Sequence, residues 1–297
     1  MESTIRNSVE LKATLRTYLE LAKLRIVLLL LFTTLTAMVI AADGVPQLAV
    51  LLPTLVGGAL AAAGSSTINQ YIDRDMDAKM ARTARRPIPS GRISPLHALA
   101  VGVTHLTASV LILGLFVNWL SAGLAFVGGM YYVVVYTILL KRNTTMNIVI
   151  GGGAGAIPVL VGWSAVTGSL SIEAFILFAI VFYWTPPHSW ALAILVNTDY
   201  ARAGVPMMPV ARGEKSTRWQ ILLYSVLLFV VSLLPSLIGM LSWIYLVASV
   251  GLGLGLIYMS IRLIQVATKS MARSTYKYST FYLAFLFMAM ILDVLIL

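Results

Sequence analysis

Long uncharged segments alternate with short polar segments along the chain. Asp, Glu, Lys and Arg are absent from residues 26–42, 44–72, 93–140, 143–172, 174–198, 219–261 and 278–292. A membrane-spanning helix needs about 20 mostly apolar residues, so we assign one helix to each of five segments and two to each of the two longest. Breaks within these two are expected at Val117-Asn118-Trp119 and near Pro235 to Gly239. The pattern therefore predicts an all-α protein with nine transmembrane helices.

The composition favours a single polytopic membrane domain over residues 1–297. Hydrophobic residues make up 59% of the chain and charged residues 11%, against about 25% charged in ordinary soluble proteins. The first apolar segment ends in Ala41-Ala42, which resembles a signal-peptide cleavage site. The polar lead before it carries Glu2, Glu10 and Glu20, however, and acids are unfavourable in such targeting peptides. We therefore interpret this segment as a retained first helix.

All 21 Lys and Arg residues fall on one side of the predicted membrane. Five lie before or at the start of helix 1 (Arg6, Lys12, Arg16, Lys23 and Arg25), and the others lie between helices 2 and 3, 4 and 5, 6 and 7, and 8 and 9. The positive-inside rule makes this side cytoplasmic. We expect a bacterial-type plasma-membrane protein with its N-terminus and active site facing the cytoplasm and its C-terminus outside. Because the net charge of +10 is spread along membrane edges, it indicates no nucleic-acid partner.

Two residue types limit the possible chemistry. The chain has no cysteine, which excludes disulfides, thiolate metal sites and cysteine nucleophiles. Its three histidines, His97, His105 and His188, are too scattered to make a metal cluster defined by spacing.

The first cytoplasmic loop, residues 69–92, reads N-Q-Y-I-D-R-D-M-D-A-K-M-A-R-T-A-R-R-P-I-P-S-G-R. At helical spacing Asn69, Asp73 and Asp77 lie on one face, one turn apart, and acids at the end of a spanning helix call for a functional explanation. Mg2+ prefers oxygen ligands and is typically held by one or two carboxylates together with substrate phosphates. Forked guanidinium groups suit phosphate oxygens, and the loop carries them at Arg82, Arg85 and Arg86. These residues together predict a lipid diphosphate bridged to the protein by Mg2+.

A simpler interpretation of this loop remains open. Each arginine taken alone is explained by the excess of basic residues at a cytoplasmic membrane edge. Arg74 and Asp75 are explained as side chains exposed to solvent. This interpretation accounts less well for the face of Asn69, Asp73 and Asp77, because topology requires no acids there.

The second cytoplasmic loop, residues 184–215, reads W-T-P-P-H-S-W-A-L-A-I-L-V-N-T-D-Y-A-R-A-G-V-P-M-M-P-V-A-R-G-E-K. Like the first loop it combines an acid with basic residues, here Asp199, Arg202 and Lys215. Pro186-Pro187 is expected to break or kink helix 6, since proline removes a backbone donor, and such a region should line a cavity. His188 follows the prolines, and a hydrogen-bonded structural role and a substrate contact are both open for it.

The Asn-x-x-x-Asp-x-x-x-Asp motif between helices 2 and 3 resembles the mark of the UbiA family of intramembrane prenyltransferases. Four further stretches resemble the members of that family that modify haem. They are M-A-R-T-A-R-R-P at 80–87, K-R-N-T-T-M-N-I-V-I-G-G at 141–152, W-T-P-P-H-S-W-A-L-A-I at 184–194 and D-Y-A-R-A-G-V-P-M-M-P at 199–209. The resemblance covers nearly the whole chain, and the family fold it implies is nine helices around a central cavity.

The resemblance also implies roles for individual residues. Asn69, Asp73, Asp77 and Asp199 are the implied Mg2+ ligands and catalytic groups. The implied substrate-binding residues are Arg82, Arg86, Lys141, Arg142, Tyr200, Arg202 and Lys215. In one departure, many members carry Asp-x-x-x-Asp in the second loop, whereas Leu195 and Ala203 flank Asp199 at that spacing. This loop therefore lacks the full ligand set for a second Mg2+.

The reaction implied by the narrower resemblance is transfer of a farnesyl group from farnesyl diphosphate to a vinyl group of haem b, with addition of a hydroxyl. Its implied clients are terminal oxidases or the proteins of haem A synthesis. We further predict that His188 serves the haem side of the site, as a ligand of the iron or by holding a propionate or the attacking water.

Two alternatives to this function are considered. A prenyltransferase acting on a quinone precursor or on chlorophyllide fits the polar loops equally well, and only the narrower motifs disfavour it. A lipid-diphosphate transporter would require discontinuous helices in two matching halves. The prolines of helix 6 have no evident counterpart in helix 2, which argues against a transporter.

Overall fold

The computed structural model describes residues 13–297, and the regular elements in that range are helices. Nine of these helices are long and apolar enough to cross a membrane. They are α1 (Leu24–Ala41), α2 (Leu48–Asp77), α3 (Pro95–Phe116), α4 (Trp119–Leu140), α5 (Asn147–Thr167), α6 (Ile172–Leu195), α7 (Gly213–Leu237), α8 (Trp243–Val266) and α9 (Lys269–Ile296). The predicted count of nine is confirmed for the described residues. Glu2, Arg6, Glu10 and Lys12 lie outside them.

Both predicted breaks occur where the sequence indicated. Helix α3 ends at Phe116 and α4 begins at Trp119. Asn118 caps α4, because its side-chain oxygen accepts a hydrogen bond from the Ser121 amide at 2.8 Å. Helix α7 ends at Leu237, and the chain turns at Gly239, where φ is 75°. Two short helices, Asn197–Arg202 and Met208–Ala211, connect α6 to α7.

Helix α5 lies at the centre of the bundle. It is the most buried of the nine helices and packs against α1, α4 and α6. Helix α6 also packs against α7 and α9, and α1 contacts both α2 and α9. The helices thus surround an interior space, as the family resemblance implied.

The crossing of α2 and α3 depends on two glycines. A Cβ atom added to Gly64 would lie 2.7 Å from the carbonyl oxygen of Gly102, and one added to Gly102 would lie 3.0 Å from the carbonyl oxygen of Gly64. Small residues let membrane helices approach closely and gain van der Waals contact. This close approach fixes the position of α2, whose end carries the predicted acidic face.

Helix α4 changes its geometry partway along its length. Residues Trp119–Met130 are α-helical, whereas Tyr131–Leu140 form a π-helix. The Lys141 amide accordingly donates to the Tyr136 carbonyl, five residues earlier, at 2.8 Å. π-Helical turns are rare and frequently lie at functional sites. The hydrophobic pattern of the sequence did not predict this change.

Of the predicted break or kink at Pro186-Pro187, the break does not occur. Helix α6 runs as one helix from Ile172 to Leu195, and both prolines are buried within it. Prolines are tolerated in transmembrane helices because neighbouring protein groups can satisfy the freed backbone carbonyls. The sequence at this point therefore lines the bundle interior without interrupting the helix.

We predict that Gly64→Ala destabilises the protein by about 1–3 kcal/mol, the usual cost of overpacking, because the added methyl meets backbone atoms of α3. The measurement is the midpoint of thermal unfolding in detergent. Gly123→Ala is the matched control, since it is a helical glycine of α4 with open space around a Cβ atom. Equal midpoints for both variants would show that the α2–α3 crossing tolerates a wider separation.

Candidate functional site

Three polar residues near the end of α2 are buried on one helix face. Asn69, Asp73 and Asp77, which we name the polar ladder, are each at most 2% exposed. Asp75 points elsewhere, and its side chain is 84% exposed. The spacing of four residues thus produces the arrangement that the sequence predicted. Because buried carboxylates are costly without partners, the residues around the ladder determine what this site can do.

A different cation contacts each residue of the polar ladder. The contacts are Lys23 Nζ to Asn69 Oδ1 at 3.1 Å, Lys141 Nζ to Asp73 Oδ2 at 2.5 Å and Arg86 Nη1 to Asp77 Oδ2 at 2.6 Å. Arg142 adds a longer contact to Asp73 at 3.5 Å. These cations come from three segments: the start of α1, the loop after α2 and the loop after α4. The ladder therefore joins the polar segments at one end of the bundle.

The π-helix of α4 supplies further partners for Asn69. The Tyr132 hydroxyl donates to Asn69 Oδ1 at 3.2 Å, and Asn69 Nδ2 donates to the Thr137 hydroxyl at 3.0 Å. Tyr132, Thr137 and Lys141 lie five and four residues apart, so they share a face only in the wider π turn. Sequence reasoning missed Lys23, Tyr132 and Thr137 as site residues. Of these three residues only Lys23 is charged, and the positive-inside rule already accounted for its charge.

Burial changes the protonation behaviour of the two lysines. It lowers the pKa of Lys23 to about 7, with the nearby cations Arg86 and Lys141 adding to the effect. Burial also lowers the pKa of Lys141, and the Asp73 carboxylate opposes this change. Both ammonium groups are therefore poorly solvated, and an additional anion beside them would stabilise their charged forms.

The second loop packs onto the first through Asp199. Asp199 Oδ2 accepts a hydrogen bond from the Arg82 amide at 3.3 Å, and Arg202 pairs with Asp199 at 3.7 Å. Tyr200 is half-buried; burial raises its pKa, and the adjacent Arg82 side chain opposes that rise. Lys215 is different, because it is exposed in the first turn of α7 and makes no side-chain hydrogen bond or ion pair within residues 13–297. The structure brings Asp199 and Tyr200 to the first loop. Arg202 is exposed and pairs with Asp199 of its own loop, and Lys215 lies apart from both.

The donor set at the ladder fits Mg2+ in combination with phosphate. Within residues 13–297 no three His, Asp or Glu side chains are close enough together to hold a metal ion, so Asp199 does not join Asp73 and Asp77 in one cluster. The ladder alone offers one amide and two carboxylates on adjacent turns. Mg2+ commonly binds one or two protein carboxylates and completes its shell with water and substrate phosphate oxygens. The ladder therefore fits such a metal when a diphosphate is also bound.

An apolar cavity opens beside the polar ladder. Its volume is about 390 Å3, and Lys23 and Tyr132 lie on its wall as well as against Asn69. Small residues form much of the remaining wall, among them Gly58, Ala61, Ala62, Gly128, Gly129 and Gly155. A polar end and an apolar interior thus meet in one continuous site.

His188 lines this cavity, as the sequence predicted. Its ring stacks on Trp184 with centroids 4.3 Å apart, and the Tyr276 ring lies 4.7 Å away. The other two histidines lie elsewhere: His97 contacts the Tyr18 hydroxyl at 2.9 Å, and His105 lies within α3.

The fold and the site together define an all-α membrane protein whose buried, cation-lined polar site opens into an apolar cavity. Residues 30–290 match the sequence profile of the UbiA prenyltransferase family. The chain belongs to this family, as the motif of the polar ladder indicated.

Relatives in bacteria are similar over nearly all of this chain. A protoheme IX farnesyltransferase of Symbiobacterium thermophilum is 49% identical over 296 residues, which are 99% of both chains. The protein of that name from Roseiflexus sp. (strain RS-1) is 51% identical over 94% of this chain. The chain spans only 52% of the Roseiflexus protein's length.

Solved structures share the fold. A structure described as digeranylgeranylglyceryl phosphate synthase in membranes superimposes with a TM-score of 0.79 at 20% identity, covering 95% of this chain and 99% of that one. A UbiA homolog from Archaeoglobus fulgidus bound to DMAPP and Mg2+ gives a TM-score of 0.66 at 16% identity, covering 92% and 99%. At these identities the likeness concerns the fold alone.

We predict that Asp73→Asn and Asp77→Asn each lower prenyl transfer by about 100-fold or more, the scale of losing an electrostatic group at a reacting centre. The amide keeps the side-chain volume and an oxygen that can still accept from the neighbouring cation, so the fold should persist. Asp73→Ala should in addition destabilise the protein by about 3–5 kcal/mol, because it leaves buried Lys141 without its main partner. The rate of turnover is measured as the rate at which diphosphate is released. Asp75→Asn, on the exposed face, is the control, and a loss there equal to that of Asp73→Asn would contradict the assignment.

We also predict that Arg86→Lys weakens binding of a prenyl diphosphate about tenfold or more. A point charge does not replace a forked donor, and hydrogen bonds to charged groups contribute about 1.5–3 kcal/mol. Equilibrium binding of the diphosphate to purified protein measures the change. The control is Arg74→Lys, since Arg74 lies over the Tyr71 ring on the same helix end. An unchanged affinity of the Arg86→Lys protein would mean that Arg86 serves only as a positive charge at the cytoplasmic edge of the membrane.

Proposed function

We propose that the protein transfers a farnesyl group from farnesyl diphosphate to a vinyl group of haem b, with addition of a hydroxyl, giving haem O. The observation that carries this proposal is the polar ladder with its cations at the mouth of an apolar cavity. The name shared by the relatives, one of which matches end to end, supports the choice of farnesyl donor and haem acceptor.

The diphosphate end of the donor is proposed to bind among Arg82, Arg86, Lys141 and Arg142. In the structure Arg86 and Lys141 neutralise the ladder carboxylates, and a diphosphate offers them a second, more highly charged partner. Asn69, Asp73 and Asp77 would hold Mg2+ there, and Asp199, which lies outside their cluster, is a proposed further ligand from the second loop. When bound, Mg2+ supplies positive charge where the departing diphosphate develops negative charge.

The farnesyl chain is proposed to occupy the apolar cavity. Breaking its C1–O bond sends the electron pair to the diphosphate and leaves an allylic cation, which water would capture early if it had access. Apolar walls exclude that water. The stacked rings of Tyr132 and Tyr136, 5.6 Å apart, also line the cavity next to the ladder, and their π faces favour a cation.

The acceptor completes the reaction in two bond-forming events. The terminal vinyl carbon of haem b forms a carbon–carbon bond to farnesyl C1, which moves the positive charge to the adjacent vinyl carbon. Water then adds its oxygen to that carbon and loses a proton. His188, on the cavity wall, is the proposed haem-side group. Tyr200, Arg202 and Lys215 remain proposed substrate contacts, and only Tyr200 lies half-buried against the first loop.

The proposed setting is a bacterial plasma membrane with the site facing the cytoplasm. The distribution of Lys and Arg supports this orientation. A diphosphate made in the cytoplasm would then reach the ladder directly. Terminal oxidases and the proteins of haem A synthesis are the proposed clients.

The test is to incubate the purified protein with haem b, farnesyl diphosphate and Mg2+ and to analyse the tetrapyrrole by mass spectrometry. We expect haem heavier by one farnesyl group and one hydroxyl, with one diphosphate released per product. A product formed only with an aromatic quinone precursor would support the alternative acceptor. Movement of farnesyl diphosphate across vesicles without diphosphate release would indicate a transporter.

A further inference from the structure

Ser279 on α9 contacts the His188 ring at Nδ1. The Ser279 hydroxyl lies 2.8 Å from the Tyr276 carbonyl oxygen and 2.9 Å from His188 Nδ1. A hydroxyl has one hydrogen to donate, and a carbonyl oxygen can only accept. When the hydroxyl gives its hydrogen to Tyr276, its oxygen accepts one from His188, and Nδ1 is then the protonated ring nitrogen. The neutral ring then has an unprotonated Nε2.

The surroundings hold this arrangement in place. Ser279 is buried, and its carbonyl oxygen accepts a hydrogen bond from Trp184 Nε1 at 2.6 Å. Trp184 in turn stacks on the His188 ring, and Tyr276 packs against it. Within residues 13–297, His188 Nε2 has no hydrogen-bond partner, and it is not among the fully buried atoms that lack one. His188 lines the cavity, and among the described residues Nε2 is the ring nitrogen left without a protein partner there.

We propose that Ser279 is a positioning residue that fixes His188 as the Nδ1–H tautomer, so that Nε2 ligates the iron of the haem acceptor. A metal-bound histidine usually donates its other ring N–H to a fixed acceptor, which is the relationship of His188 to Ser279. The same tautomer disfavours a propionate contact, because a carboxylate needs an N–H donor at Nε2. This proposal rests on the proposed function, since haem b is the acceptor only if that function is correct.

The test compares two probes that differ only in iron. Ferric haem b and metal-free protoporphyrin IX are titrated into the purified protein without farnesyl diphosphate, and absorption and electron paramagnetic resonance spectra are recorded. We expect His188→Ala to lose the nitrogen-ligated haem spectrum. We expect the variant to bind haem no more tightly than it binds protoporphyrin. Its affinity for protoporphyrin should equal that of the unaltered protein.

The role of Ser279 is tested with a matched pair of variants. Ser279→Thr keeps the hydroxyl, and Ser279→Val has the same shape as the threonine variant without it. We expect Ser279→Val to bind ferric haem about 10–100-fold more weakly than Ser279→Thr, the usual effect of losing the group that orients a metal ligand. Protoporphyrin binding and the thermal midpoint should be the same for both variants. If the threonine and valine side chains do not fit, Ser279→Ala, which also lacks the hydroxyl, is compared with the unaltered protein.

Two results would overturn the proposal. Identical haem spectra for the unaltered protein and His188→Ala would exclude Nε2 as the iron ligand. Equal haem affinities of Ser279→Val and Ser279→Thr, or of Ser279→Ala and the unaltered protein, would exclude the positioning role. The proposed function is tested separately, since haem can be ligated without being farnesylated and can be farnesylated without ligation.

Discussion

The pairing of buried acids with cations from distant segments is the constraint on which this site depends. Asp73 and Asp77 are almost fully buried, and a buried carboxylate without a partner is costly. Lys141 and Arg86 meet this requirement from the loops after α4 and α2. Pairing the acids thus requires these loops to come together at the end of α2. Charge neutralisation, more than apolar packing, arranges the polar end of the bundle.

The interior of the bundle has the opposite character, and the reaction we propose needs both environments. The cavity wall is rich in small apolar residues, and its polar end is shared with the ladder through Lys23 and Tyr132. A charged leaving group and a water-sensitive carbon chain can thus occupy adjoining parts of one site. His188 and Trp184 of α6 lie on the same cavity, and Tyr276 of α9 packs against the His188 ring.

The sequence predicted features that follow from simple periodicity. Spans of about 20 residues, the breaks between them and the one-face arrangement of the polar ladder all agree with the structure. Features that depend on tertiary packing were missed. In an α-helix, Tyr132 and Thr137 would face different directions, and only the π turn brings both to Asn69. The break expected at Pro186-Pro187 does not occur, because groups of the surrounding bundle can satisfy the carbonyls that the prolines leave free.

The balance of charge at the ladder has a consequence for selectivity. Two carboxylates, Asp73 and Asp77, are contacted by Lys141, Arg142 and Arg86, and Lys23 lies against their neighbour Asn69. Cationic side chains therefore outnumber carboxylates around the ladder, and their field favours an incoming anion over a free divalent metal. A diphosphate bound beside these cations would reverse that balance, and the ladder would then favour a divalent metal as well. In the reaction we propose, the metal site would thus be complete only when the diphosphate is present.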